Sequence, residues 1–159
     1  MPSPSFNVML RTGLIAGTLD ILAAIIVYAV ILDKATAVQI LQGIASGIFG
    51  REAYAGGATM AVTGLVFHYV IAMLFTIGYY LVYPYLPFLH KQAIMSGILY
   101  GAIVWLIMNL VVLPISAYHR PPLRLGPSLL GMLILVLMIG IPVAVMTARY
   151  YSRQTSAHT

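Results

Sequence analysis

The sequence predicts an all-α membrane protein: a four-transmembrane-helix bundle with a short interfacial or re-entrant helix after the first span. Three observations carry that expectation. Of 159 residues, 62% are hydrophobic and 7% charged, whereas soluble domains carry about 25% charged residues. So few charges cannot give a folded domain of this size a solvated surface. Four apolar runs each reach the roughly 20 residues that a helix needs to cross a hydrocarbon core of about 30 Å. The lysines and arginines stand at or near the ends of those runs, where cations meet lipid headgroups. Alternating barrel-type segments are absent. Backbone polar groups in hydrocarbon must be bonded internally, so the spans read as helices. Residues 1–159 read as a single integral membrane domain.

The first span covers about 12–32, opening on TGLIAGT (12–18) and ending at Asp33-Lys34. Its apolar run from Leu14 to Leu32 is longer than a signal-peptide core and contains Asp20, which predicts a retained helix. Residues 35–50 follow, with Ala37, Ile40, Leu41, Ile44 and Ile48 at helical spacing and Gln39, Gln42 and Ser46 elsewhere. That run is too short to cross, hence the interfacial or re-entrant helix. The second span covers about 57–83, and the Pro-containing turn 84–92 makes it an antiparallel neighbour of the third, about 93–117. Residues 118–127 hold three prolines and two arginines and read as an extended, solvated loop before the fourth span, about 127–149. SGILYGA (96–102) echoes TGLIAGT, as in a duplicated helix pair. Pro114 and Pro142 should each bend a helix or free a carbonyl. Tyr79, Tyr80, Tyr83 and Tyr85 gather with Tyr150 and Tyr151 at the exits of the second and fourth spans, in the manner of an aromatic belt.

Several function classes are excluded. Without cysteine there is no disulfide scaffold, thiolate metal site or dithiol redox chemistry. The eight Lys and Arg are scattered rather than clustered, which excludes a nucleic-acid partner and leaves the lipid bilayer. His90, His119 and His158 fall in loops or the tail, so a two-histidine haem lacks a second ligand. Zinc would need a third and fourth ligand beyond Asp20 and His68, and Glu52 could supply one only if residues 35–54 re-enter the membrane, so no cofactor and no metal are expected. Ser96, Ser116 and Thr76 have no evident base, and no catalytic residue is assigned.

Asp20 is the informative exception. A carboxylate within a span is costly unless protonated, paired or facing water, so it is a functional candidate. Gly13, Gly17, Asp20 and Ala24 share one helical stripe, and small residues mark close helix approach. The second span has a matching stripe of Gly57, Ala61, Gly64, His68 and Ala72. At 1.5 Å per residue, Asp20 lies roughly 12 Å and His68 roughly 16 Å into helices of opposite direction, hence at similar depth. That predicts an Asp20–His68 contact, direct or through one water. The pair either handles protons or a cation, or serves as interhelical glue. Asn109, beside Trp105 and about a quarter-turn from the Gly97/Gly101 stripe, is the third buried polar candidate, for interhelical bonding or for lining a pathway.

From His68 onward the chain resembles a known family. HYVIAMLFTIGY (68–79), Pro84, SGILYG (96–101), Leu113-Pro114 and Pro121-Pro122, with TGLIAGT before them, resemble the YagU-like family of bacterial inner-membrane proteins. The likeness covers most of spans one to three; the fourth agrees only in hydropathy. It implies a small polytopic inner-membrane protein and transfers no mechanism, since no biochemical function is established for that family. His68, Gly97 and Gly101 match its pattern. Asp20 does not, and residues 33–56 replace the family's longer, Trp-rich segment.

The expected function is thus proton- or ion-linked transport through Asp20 and His68, with Asn109 nearby. The alternative is a non-catalytic scaffold or accessory subunit of a larger membrane complex, and a lipid-acting membrane enzyme stands third. Lys and Arg divide evenly between the two sides, and the free α-amino group tips the expectation towards cytoplasmic termini. Four short helices are expected to enclose little room. A pathway would therefore use a homo-oligomer interface built on the glycine stripes.

Overall fold

The computed structural model describes residues 4–118 and 124–156 of the 159. Its helices are α1 (Phe6–Ile31), α2 (Ala37–Phe49), α3 (Gly57–Tyr85), α4 (Pro87–Lys91), α5 (Ala93–Ile115) and α6 (Leu125–Gln154), and no strand occurs among the described residues. α1, α3, α5 and α6, of 26, 29, 23 and 30 residues, are long and apolar enough to cross a membrane. At 1.5 Å per residue the shortest is about 35 Å, longer than a core of about 30 Å. Their outward faces carry large apolar side chains such as Leu74, Val62 and Leu110, each more than 60% exposed. Such faces suit lipid and not water, and the chain is a multi-pass membrane protein. The expected residues 118–127 loop lies partly outside the described residues, and so do His119, Arg120, Pro121, Pro122 and His158.

Helix ends follow local chemistry. α2 begins with a reciprocal cap: the Gln39 backbone N–H donates to Thr36 Oγ1 at 3.2 Å, and the Thr36 N–H donates to Gln39 Oε1 at 2.9 Å. Two spans widen to five-residue turns just before a proline, Met108–Val112 before Pro114 and Val136–Gly140 before Pro142. Proline cannot donate to the carbonyl four residues back, so the helix opens there and continues. α1 widens likewise over Ile26–Ile31.

Glycine sets the helix pairing. α1 lies on α3 along its small stripe: a Cβ at Gly17 would meet the Tyr69 ring at 3.1 Å and Ala72 Cβ at 3.2 Å. α5 crosses α6 with backbones nearly touching. A Cβ at Gly97 would stand 2.7 Å from Ile141 Cα, and one at Gly101 would stand 2.5 Å from Val136 Cα. α6 also packs against α1, so the spans follow each other as α3, α1, α6, α5. The last contact of the series, α5 with α3, is of another kind. Despite the short turn between them, these two helices meet through side chains, Tyr79 to Ser96 at 3.0 Å and the Tyr100 hydroxyl to the Phe75 carbonyl. Large tyrosines stand between them, so the expected antiparallel neighbours are splayed.

α2 accounts for the remaining glycine. Gly64 was expected to face α1 with the rest of its stripe. It faces α2 instead: a Cβ there would stand 2.8 Å from the Leu41 carbonyl carbon and 3.2 Å from the Ala45 nitrogen. The stripe therefore divides, Gly64 serving α2 while His68 and Ala72 serve α1. α2 also receives a hydrogen bond beyond α5, from Ala117 N–H to the Gly47 carbonyl at 2.8 Å. It thus straps the side on which α3 and α5 diverge. Gly13, Gly17, Gly64, Gly97 and Gly101 are each met by a neighbouring helix of the same chain, whereas Gly57 is open.

The tyrosines at the other end form core, not a belt. Tyr79, Tyr80, Tyr83 and Tyr151 are at most 4% exposed, and only Tyr85, at 82%, points outward. Tyr83 stacks on Tyr151 with ring centroids 4.9 Å apart, and Tyr79 meets Tyr100 edge-on at 4.7 Å. With helices splayed and few large aliphatics directed inward, broad rings fill the gap, and the hydroxyls of Tyr79 and Tyr80 bond to those of Ser96 and Thr12. The Ser5 backbone N–H donates to the Tyr150 hydroxyl at 3.0 Å, which puts the start of α1 and the end of α6 at this same end.

Candidate functional site

At the opposite end, the divergence of the spans leaves a cavity of about 710 Å³. Every long helix contributes to its wall. On α6, Gly131, Leu135 and Ile139 line it one turn apart, below Pro127. From α1 come Asp20 and Tyr28, from α2 Ile44, from α3 His68, Ala72 and Phe75, and from α5 Trp105, Met108 and Asn109. Tyr118 and the exposed Arg124, on either side of the loop, complete it. The expectation that four helices enclose little room is overturned. The reason is the splay of α3 from α5, which a list of spans and turns does not reveal.

Asp20, His68 and Asn109, chosen from sequence, stand on three helices and line this one cavity. Their bonding differs from expectation. His68 Nε2 is 2.8 Å from the Gly17 carbonyl oxygen, one turn before Asp20. A carbonyl only accepts, so Nε2 carries a proton and donates it, leaving Nδ1 as the atom that gains or loses a proton. Gly17 makes this possible: without a side chain it lets α3 approach until the imidazole reaches the α1 backbone. Asp20 is close enough for its charge to interact with His68, yet among the described residues it makes no hydrogen bond or ion pair. The direct Asp20–His68 bond is therefore replaced by histidine to backbone, with the carboxylate alongside. The Asn109 amide donates to the Trp105 carbonyl at 2.9 Å, one turn back on its own helix.

The sequence reading missed other contributors. Tyr28 lies eight residues after Asp20, on the stripe that also holds Ala24, and that spacing was a usable signal. Its hydroxyl and the Trp105 indole nitrogen converge on Gly131, where a Cβ would stand 3.8 Å and 3.6 Å from them. Arg124 was assigned to a solvated loop, and no local pattern marks it as a wall residue. Two hydroxyl pairs joining α1 to α3, Thr12 with Tyr80 at 3.0 Å and Thr18 with Tyr69 at 2.8 Å, were also unforeseen. Thr12 adjoins Gly13 on the small stripe, so a polar partner on α3 could have been sought.

Among the described residues, no three His, Cys, Asp or Glu side chains gather as a metal site would require. The polar groups of the cavity are instead a carboxylate, an imidazole, an amide, a guanidinium, an indole N–H and hydroxyls, distributed over an otherwise apolar wall. Such a surface can orient a small molecule, and its two central titratable groups can exchange protons with it or with water. No protein-family model, curated protein or solved structure matches this chain.

Proposed function

We propose that this chain is a small polytopic protein of the bacterial inner membrane that handles a proton or cation in the cavity between its spans, in a transport role. One observation carries the reading: Asp20, His68 and Asn109, on three helices, line a single cavity of about 710 Å³, and the carboxylate makes no hydrogen bond or ion pair among the described residues. Carboxylates and imidazoles within spans recur in proton relays and ion pathways because either can change charge in place. Asp20 and the free Nδ1 of His68 are the two groups that would do so. The resemblance of residues 68–79 and 96–101 to the YagU-like family supports the inner-membrane location.

In this reading the four long helices form the transmembrane bundle. α2 is interfacial: it lies on the first turns of α3, whose 29 residues exceed the core by about 13 Å, and it is flanked by Lys34 and Arg51. Both termini are cytoplasmic. The test is reconstitution of the purified chain in liposomes carrying a pH gradient and an internal dye. The expected result is dissipation of the gradient that Asp20→Asn abolishes; vesicles as tight as protein-free controls refute it.

A second reading, a scaffold or accessory subunit of a larger complex, has one observation in its favour. His68 already ties α3 to α1 through the Gly17 carbonyl, as interhelical glue would. It predicts stable co-purification with one larger membrane protein and no flux by the chain alone.

A further inference from the structure

We infer that the cavity binds a hydrophobic organic cation: an ammonium or phosphonium centre on an aromatic or branched apolar body, with Asp20 as its counter-ion. The inference rests on the proposed function only in taking this cavity as the working compartment, and it does not require flux. Size is the first argument. Ligand sites occupy roughly 300–1,000 Å³, and this cavity of about 710 Å³ falls within that range. A proton path needs only a file of water, so such a volume points to a body of drug-like size.

The wall is the second argument. Phe75, Leu135 and Ile139 face the cavity with the rings of Tyr28 and Trp105. A strongly hydrated inorganic ion or a polyhydroxy compound would forfeit its water against that surface, whereas an apolar body gains by leaving water. Aromatic faces also attract a cationic centre through their quadrupoles.

The charge balance is the third. Asp20 makes no hydrogen bond or ion pair among the described residues. Its neighbour His68 commits its Nε2–H to the Gly17 carbonyl, so the neutral imidazole offers only an acceptor at Nδ1. Among the described residues, the middle of the site thus holds a carboxylate and a further acceptor and no Lys or Arg side chain. Arg124 lines the rim, exposed and just outside α6, where solvent screens it. An anionic ligand would find its cation at the rim and repulsion within. A cationic ligand finds the reverse.

Tetraphenylphosphonium and tetraphenylborate share one shape and differ in sign, which isolates this claim. Equilibrium dialysis of both against the full chain in lipid nanodiscs, with empty nanodiscs as background, measures affinity. The fluorescence of Trp105, the single tryptophan, reports whether binding is in the cavity. The expected result is saturable phosphonium binding that changes Trp105 emission, at least tenfold weaker for the borate and at least tenfold weaker in Asp20→Asn. Asp20→Glu should retain it, and Gly131→Leu, which fills the space between Tyr28 and Trp105, should lose it. Equal affinity for the two ions, no binding above background, or unchanged affinity in a folded Asp20→Asn protein overturns the inference. Phosphonium binding in a chain that passes no protons would refute the transport reading alone. Proton flux without phosphonium binding would refute this inference and leave that reading standing.

Discussion

Replacing Gly64 with alanine probes how α2 is held, and the structure supplies both the magnitude and an internal control. The added methyl would stand 2.8 Å from the Leu41 carbonyl carbon and closer still to its oxygen, with the Ala45 nitrogen at 3.2 Å. These are backbone atoms, so no side-chain rotation relieves the clash. α2 must withdraw by about 0.6 Å before that carbon alone reaches ordinary contact at 3.4 Å. Overpacking of this kind costs about 1–3 kcal/mol, against which alanine regains up to about 1 kcal/mol of helix propensity. Gly78 lies in the same helix with nothing within 4 Å of its would-be Cβ, so Gly78→Ala keeps the gain without the clash. Unfolding in mixed micelles, followed by Trp105 fluorescence, should place Gly64→Ala about 1–3 kcal/mol below Gly78→Ala. Equal stability of the two variants, or greater stability of Gly64→Ala, would refute the backbone-to-backbone crossing of α2 on α3.

Two further outcomes are expected. The Thr12–Tyr80 hydroxyl pair is fully buried between α1 and α3, so a cycle of Thr12→Val and Tyr80→Phe should yield a coupling energy of about 0.6–1.7 kcal/mol; additive effects would show that the bond contributes nothing. Phosphonium affinity should fall once the medium is acid enough to protonate Asp20. Protonation of Asp20 removes the negative charge that holds the cation. Dialysis at several pH values checks this, and affinity that is constant or rises in acid contradicts the assignment of Asp20 as counter-ion.

The spans and α2 were legible because lipid imposes a simple rule: about 20 apolar residues per crossing, with cations at the ends. Asp20 was legible as the charge which that rule does not explain, and helical arithmetic put His68 at its depth. What lay beyond local periodicity was the choice of partner. Gly57, Ala61, Gly64, His68 and Ala72 form one stripe, and nothing in their spacing tells that Gly64 meets α2 while His68 meets α1. Tyr79 and Tyr83 were misassigned to lipid because tyrosine at a span end suits both an interface and a wide interhelical gap, and the gap is a property of pairs of helices. Arg124 was hidden for a similar reason, since its role depends on how the helix after it leans. The imidazole bond to Gly17 was missed because sequence reasoning pairs side chain with side chain, while a glycine offers its backbone.

The spans adjoin one another by close packing on three sides, and where α3 diverges from α5 the connection is made by tyrosines at one end and by α2 at the other. On that fourth side α3 and α5 bound the cavity without packing closely on each other, and in a bilayer it borders acyl chains. An apolar ligand dissolved in the membrane then exchanges with the site directly while staying in equilibrium with ligand in water. Apparent dissociation constants referred to total ligand should therefore rise with its lipid–water partition coefficient and with the lipid-to-protein ratio of the preparation, even when no residue of the site is altered.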